Sequence, residues 1–178
     1  MKKTLMVLVS SVFLAACASS SGNGPMAMTM LAPAAAGSTA QGMVHFQQQA
    51  DGSVEVTADL TGVPAGTHGF HVHDKGDCGD SGNAAGGHYN PMNMSHGAPD
   101  AAAHHAGDFG NVTADASGEV HAKFNTRSIT VAAGSTSVVN HAVILHANAD
   151  DLTTQPTGNA GARIACGVVT LHQMGGGM

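Results

Sequence analysis

Residues 68–78 read HGFHVHDKGDC, a stretch in which histidines alternate with apolar residues before turn residues interrupt the pattern. In a β-strand, the side chains of residues i and i+2 point to the same face. His71 and His73 would therefore stand side by side, while Phe70 and Val72 fill the opposite face. The stretch predicts a strand that is apolar on one side and carries half of a metal site on the other.

Short alternating runs of this kind recur along the chain and are separated by turn residues, among them Asp51-Gly52 and Ser117-Gly118. Strands at such regular spacing predict an all-β sandwich or barrel. A chain of 178 residues is long enough for one such domain with appendages, and no segment shows a helical period. The runs are GMVHFQQQ, SVEVTADL, HGFHVH, GNVTAD, EVHAKF, SITV, HAVILH and ACGVVTLH.

Two segments, residues 74–107 and 147–162, are too long for simple turns and are rich in Gly, Asn, Asp and Pro. Long irregular loops in a compact domain are usually functional. The first loop contains three widely spaced histidines, and an aspartate follows it directly. Seven, eight and two residues separate these four residues in order along the chain. Three imidazoles and a carboxylate form a closed set suited to zinc. The four residues are His88, His96, His105 and Asp108.

A second set of imidazoles uses the end of the run HAVILH, where His146 lies. With His71, His73 and His88 it would give four imidazole ligands, a type that suits copper among other metals. The spacing alone does not show that His88 belongs to both sets.

The N-terminus has the pattern of a secretory signal, because two lysines precede a short apolar run that extends to Ala16. Its end, LAAC, resembles the lipobox of bacterial lipoproteins. This predicts a signal peptide over residues 1–16, a lipid on Cys17 and a flexible tether over residues 17–25. Ala18 in place of Asp favours a periplasmic domain held at the outer membrane. The alternative is an ordinary signal peptide with an incidental cysteine.

The net charge of the predicted mature chain excludes one class of partner, nucleic acid. Removing residues 1–16 takes away two of the six basic residues and leaves four against 12 acidic ones, a net charge of −8 with neutral histidines. A chain without a basic stripe is not suited to nucleic acid.

If Cys17 carries a lipid, Cys78 and Cys166 remain in an oxidising compartment. They would form either a disulfide, worth about 4–5 kcal/mol for so long a loop, or two free thiols.

The segment MAMTML, which begins at Met26, places three methionines at alternate positions. A copper-binding methionine cluster is one interpretation. The favoured interpretation is a first strand with its methionines on the buried face.

Five stretches resemble the copper/zinc superoxide dismutase family in order and almost without gaps, from about Met26 to Leu171. They are GTHGFHVHDKGDC, GGHYNP, HHAGDFGNVTAD, HANADDL and GNAGARIACGVV. The resemblance implies an eight-stranded Greek-key β-barrel, an immunoglobulin-like sandwich with two long functional loops. The domain would cover residues 26–173 and be followed by a flexible tail over residues 174–178.

The resemblance also implies one copper and one zinc per chain. His88 would bridge the two metals, and Asp150 would link a copper ligand to a zinc ligand. Between neighbouring histidines 104 and 105, only His105 has the gap to Asp108 that the family shows. The implied copper ligands are His71, His73, His88 and His146, and the implied zinc ligands are His88, His96, His105 and Asp108. Arg163 would lie beside the copper, and Cys78 and Cys166 would form the intrachain disulfide.

The implied activity converts two superoxide anions and two protons to dioxygen and hydrogen peroxide, with Arg163 and His88 as catalytic residues and the cell envelope protected. Because the second long loop has no lysine, Lys75 is expected to help steer the anion. The alternative function is a copper/zinc buffer or chaperone on the same barrel without turnover, which the Met-rich ends of the chain favour slightly. The resemblance leaves both a homodimer and a monomer open.

Overall fold

The computed structural model describes residues 24–172. The predicted signal peptide, Cys17, most of the tether and the tail over residues 174–178 lie outside the described residues. Within residues 24–172, no helix is long and apolar enough to cross a membrane.

The described chain is built from strands, with one short 3-10 turn at Asn83–Ala85. Polar residues alternate with apolar ones along most of the strands, as in β3, where Val54, Val56, Ala58 and Leu60 are buried. The strands are β1 (Met26–Pro33), β2 (Gln41–Gln48), β3 (Val54–Thr61), β4 (Gly66–His73), β5 (Asp108–Ala114), β6 (Val120–Thr126), β7 (Ala142–His146), β8 (Arg163–Val168) and β9 (Thr170–His172).

The strands form two layers that share β1. Strands β9, β1, β2, β3 and β6 pair in one sheet, while β5, β4, β7 and β8 pair in the other. The end of β1 pairs with β8 and joins the layers. The chain crosses between layers after β3, β5, β6 and β8, as in a Greek key. The predicted eight-stranded antiparallel barrel is confirmed; the run ACGVVTLH is divided, and its end forms the short β9.

Apolar side chains from both layers meet in one core. Phe109 connects three other rings of this core, with its ring centroid 6.4 Å from that of Phe46, 6.1 Å from that of Phe70 and 5.3 Å from that of Phe124. The inward face of β4 supplies Phe70 and Val72, as the opening stretch predicts, and both are fully buried. His71 and His73 consequently face away from this core.

The prediction that the methionines of β1 are buried is wrong. The inward positions are taken by Ala27, Thr29 and Leu31, so the three methionines point outward, and Met30 is 64% exposed.

The run SITV does not form a strand. Ile129 and Val131 are buried as its alternation suggests, but Thr130 makes only an isolated bridge with Ser137. The backbone of Thr130 is bonded within its own loop, to Thr136 and Val138. This short loop therefore closes on itself, and its side chains enter the core without joining a sheet.

The two long loops have the predicted bounds, since residues 74–107 separate β4 from β5 and residues 147–162 separate β7 from β8. A disulfide joins Cys78 of the first loop to Cys166 of β8, with their Cα atoms 5.7 Å apart. The two free thiols considered above are thus excluded. The first loop is fastened across the outward face of the β4–β7–β8 layer.

Candidate metal centre

Strands β4 and β7 pair side by side and bring three histidines together. His71 and His73 share the outward face of β4, and His146 ends β7. The register shifts immediately before His146 and again between Gly69 and His71. Such irregularities bend a strand and re-aim its side chains. The ring centroid of His146 lies 5.0 Å from that of His71 and 5.4 Å from that of His73.

The first long loop adds His88 to this group. The loop returns along β4, where His88 forms a bridge with His73 and the Tyr89 amide donates to the Val72 carbonyl over 2.8 Å. The His88 ring consequently lies 4.0 Å from that of His71 and 5.0 Å from that of His73, between centroids.

The four rings leave one nitrogen each facing a common point. Nε2 of His73 and Nε2 of His146 are 3.3 Å apart. Nδ1 of His71 and Nε2 of His88 are buried and have no hydrogen-bond partner among residues 24–172. Leaving such nitrogens unpaired costs free energy, and a metal ion would satisfy all four. The other nitrogens of His73 and His146 pair with the carbonyl oxygens of Gly86 and Gly161.

A second cluster shares His88 and is centred on the carboxylate of Asp108, the first residue of β5. Its Oδ1 lies 2.6 Å from Nδ1 of His88, 3.1 Å from Nδ1 of His96 and 3.2 Å from Nδ1 of His105. Asp108 Oδ2 accepts the backbone N–H of His105 over 2.7 Å. All four residues are buried. Three imidazole nitrogens and one carboxylate oxygen at this separation fit a tetrahedral zinc ion.

Asp150 connects the two clusters from the second long loop. Its Oδ2 is 2.8 Å from Nε2 of His71, and its Oδ1 is 3.0 Å from Nε2 of His96. The backbone N–H of Asp150 donates to Asn111 over 2.7 Å. A carboxylate in this position sets which nitrogen of each ring is free to bind a metal. Asp150 therefore contacts one histidine of each cluster.

Burial sets the charge state of the clusters. It lowers the pKa of His88 to about 4 and that of His146 to about 3, with the nearby imidazole of His71 adding to both effects. Burial also lowers the pKa of His73 and His105. Burial tends to raise the pKa of Asp108, but hydrogen bonding with His88 and the His105 backbone holds it below its usual range. Neutral imidazoles and an ionised carboxylate are the forms that bind metals.

Arg163, at the start of β8, lies at the edge of the four-imidazole cluster. Its two terminal nitrogens donate to the carbonyl oxygens of Gly82 and Gly86, each over 2.6 Å. The Gly86 carbonyl also pairs with His73 over 2.9 Å. Partial burial lowers the Arg163 pKa, yet a guanidinium stays protonated in proteins. A half-buried positive charge is thus held next to the imidazoles.

Other histidines lie outside both clusters. His104 turns away, and its ring contacts the Pro99 carbonyl over 3.0 Å. His68 is buried between the carbonyls of His146 and Pro64 and has a structural role. His141 pairs with the Asp74 carbonyl and stacks on Tyr89.

Sequence reasoning missed two glycines that shape the centre. Gly86 supplies the carbonyl shared by Arg163 and His73. Gly158 has φ +66°, and a Cβ there would overlap the Asp150 carboxylate and the His96 ring. The Gly-Asn pair at residues 158–159 signals a turn, but nothing in the sequence shows what lies against it.

Two metal-sized groups of buried ligands therefore occur in the described part of the chain, and comparisons with known proteins agree with them. The family model for copper/zinc superoxide dismutase matches residues 40–169. A relative from Caenorhabditis elegans, extracellular superoxide dismutase [Cu-Zn], is 40% identical over 134 residues, which are 72% of this chain and 60% of the relative. The chain thus spans about three fifths of that relative's length.

One solved structure, a crystal structure of the clock protein EA4, superposes with a TM-score of 0.74. It is 37% identical in sequence, and the match covers 83% of this chain and 94% of that chain.

Proposed function

We propose, since this chain belongs to the copper/zinc superoxide dismutase family, that it converts superoxide to dioxygen and hydrogen peroxide. The observation that carries the proposal is the His88 ring. Its Nδ1 lies in the Asp108 cluster, and its buried Nε2 faces the cluster of His71, His73 and His146. One ring thus has a nitrogen in each cluster, which supports a role for His88 in holding both metals.

The residues fit the two metals. His71, His73, His88 and His146 would hold copper, and His88, His96, His105 and Asp108 would hold zinc. Imidazole ligands suit copper among other metals, and a copper ion held by these four residues would supply one-electron transfer to and from the substrate.

The protein's own groups would guide the anion and move the protons. Arg163 offers a fixed positive charge beside the imidazoles, which attracts and orients superoxide. His88 Nε2 would hold a proton for delivery to the reduced substrate, while Nδ1 keeps its position at Asp108. Asp150 holds the rings of His71 and His96 so that this geometry persists.

Metal content and superoxide decay, measured on the same purified protein, test the proposal. One copper and one zinc per chain, with fast decay that His71→Ala abolishes, would support it. His121→Ala is the matched control, because that histidine is exposed and pairs with Asp59 outside both clusters. Both metals bound without decay would instead support the buffer function.

We further propose that the domain is periplasmic and held at the outer membrane by a lipid on Cys17, where it protects the cell envelope. The LAAC pattern supports this location, as do the disulfide and the extracellular relative. Cys17→Ser should move the protein from the membrane to the soluble fraction of cells. Unchanged membrane association of the variant would contradict the anchor.

Sedimentation of the soluble domain distinguishes a homodimer from a monomer.

A further inference from the structure

Strand β1 presents its methionines to the outside, where strand β2 adds matching side chains. Met28 is paired in register with His45, and Met30 is paired with Met43. The inward partners on the same two strands, such as Thr29 and Val44, are buried. These two outward pairs form a quartet of adjacent side chains, which we call the methionine face: Met28, Met30, Met43 and His45.

The geometry lets the four side chains meet. Directly opposed residues of antiparallel strands have Cβ atoms about 4.5–5.5 Å apart. Residues two apart on a strand share a face, so the two pairs are neighbours. Methionine has three rotatable side-chain bonds and adapts to irregular geometry. Three thioether sulfurs and one imidazole nitrogen are therefore within reach of a single ion.

The surface is unusual for a soluble domain. Methionine is among the residues most often buried, and β1 fills its inward face with Ala27, Thr29 and Leu31 instead. Met30 is 64% exposed, and Met28, Met43 and His45 are half-buried. Packing in the core thus gives no account of why methionine recurs at these outward positions.

The donor set selects the metal by its chemistry. Thioether sulfur is a soft ligand that prefers Cu(I), whereas carboxylate and water suit hard cations. Asp59 is paired in register with Met43 on the far side of β2, and its carboxylate lies beside the quartet while Oδ1 pairs with His121 over 2.8 Å. The nearby Lys123 ammonium is neutralised in part by Glu55, 3.0 Å away.

We propose that the methionine face is a surface Cu(I) site, formed by Met28, Met30, Met43 and His45. It lies on the β9–β1–β2–β3–β6 layer, whereas the histidine clusters lie on the outward face of the other layer. The site is therefore separate from the metal centre, and the proposal does not rest on dismutase activity.

Anaerobic titration of the fully metallated protein with Cu(I), in competition with bicinchoninate, tests this site. One further equivalent of Cu(I) should bind beyond the copper of the metal centre. The triple variant Met28→Leu, Met30→Leu, Met43→Leu should lose that equivalent, and His45→Gln should weaken its binding by about tenfold or more. The matched control is Met92→Leu with Met94→Leu, two exposed methionines outside the methionine face, which should retain it.

A second measurement needs no substitution. In protein labelled with ¹³C-methyl methionine, Cu(I) should shift the methyl signals of Met28, Met30 and Met43 and leave those of Met92 and Met94 in place. The proposal is overturned if no further equivalent binds, if the triple variant keeps it, or if the shifts fall on the control methionines. Superoxide decay should be unchanged in the triple variant, so a failure of the dismutase proposal would appear separately, in wild-type protein.

Discussion

The His88 ring belongs to both ligand clusters, because each of its nitrogens faces a different one. Its Nδ1 lies 2.6 Å from Asp108, and its Nε2 is buried without a partner among the described residues. Burial keeps the ring neutral, with its pKa lowered to about 4. A neutral imidazole has one lone pair and one N–H, so a ring that held a metal at each nitrogen would also have to release that proton.

Asp150 is the neighbour with the widest influence, since it contacts one histidine of each cluster. Asp150→Asn would replace a double acceptor by an amide whose NH₂ group cannot accept from His71 or His96. Metal affinity should fall by about 10- to 100-fold, as for other partners of metal-bound histidines. Competition with a chelator, followed by mass spectrometry of bound copper and zinc, measures this. Asp151→Asn is the control, because the Asp151 side chain is exposed and accepts hydrogen bonds only from Thr153 and Thr154 among the described residues.

The buried imidazoles also predict how acid affects the metal-free protein. The pKa of His88 is lowered from 6.5 to about 4 and that of His146 to about 3. Between these values and 6.5, the unfolded chain binds protons that the native chain does not. Stability should therefore fall as the pH drops from 6.5 toward 4, on the order of 3 kcal/mol from His88 alone.

Thermal unfolding of chelator-treated protein at several pH values checks this window. The melting temperature should decline steadily from about pH 6.5 downward. A melting temperature that is constant from neutral pH to pH 4.5 would show that these imidazoles are not buried in neutral form.

At the scale of elements, the second long loop supports the centre through Gly158. A Cβ at that position would meet the Asp150 carboxylate and the His96 ring. Gly158→Ala should therefore displace Asp150 and lower the retention of copper and zinc during dialysis against a chelator, by about 10-fold or more. Gly37→Ala is the matched control, because Gly37 also has a positive φ, +78°, and no atom within 4 Å of its added Cβ. Equal retention in both variants would contradict the role given to Gly158.

The alternation of polar and apolar residues predicted most of the strands. It failed where packing against the rest of the fold determines which face is buried or whether a strand has a partner. The alternation around His71 and His73 predicted β4 with both its faces, and turn-rich composition predicted the bounds of the two long loops. The same rule misplaced the methionines of β1, because both faces of that strand carry apolar side chains. For the run SITV, alternation indicated burial correctly but not whether a partner strand was available.

The alternation of residues was not enough to predict the metal centre. The i, i+2 spacing in β4 predicted a pair of ligands, but the join between the clusters at His88 came from the family resemblance. The carbonyls of Gly82 and Gly86 that bind Arg163 could not be predicted from the sequence, since every residue has a backbone carbonyl.

Across the whole molecule, charge poses a problem for an anionic substrate. The predicted mature chain carries a net charge of −8, from four basic and 12 acidic residues, so attraction depends on local positive charge. The Lys75 side chain runs beside Gly86, the residue whose carbonyl binds Arg163. Lys75 is thereby placed to extend the positive field outward from the guanidinium.

Lys75→Glu should slow superoxide decay at low salt by about two- to tenfold, and the difference should shrink at high salt. Lys123→Glu is the matched control, because it changes the net charge equally on the opposite layer, where Lys123 pairs with Glu55. The steering role is rejected if the two variants decay superoxide at the same rate at low ionic strength.

The bond between Cys78 and Cys166 fastens the loop whose carbonyls hold Arg163. Thiols join in this way only where the surroundings are oxidising. We therefore expect the cross-link to form after the chain reaches an oxidising compartment. We expect a chain retained in a reducing compartment to gather its imidazoles but to lack a fixed guanidinium, and so to hold metals while turning over slowly. Full activity would then begin only after export.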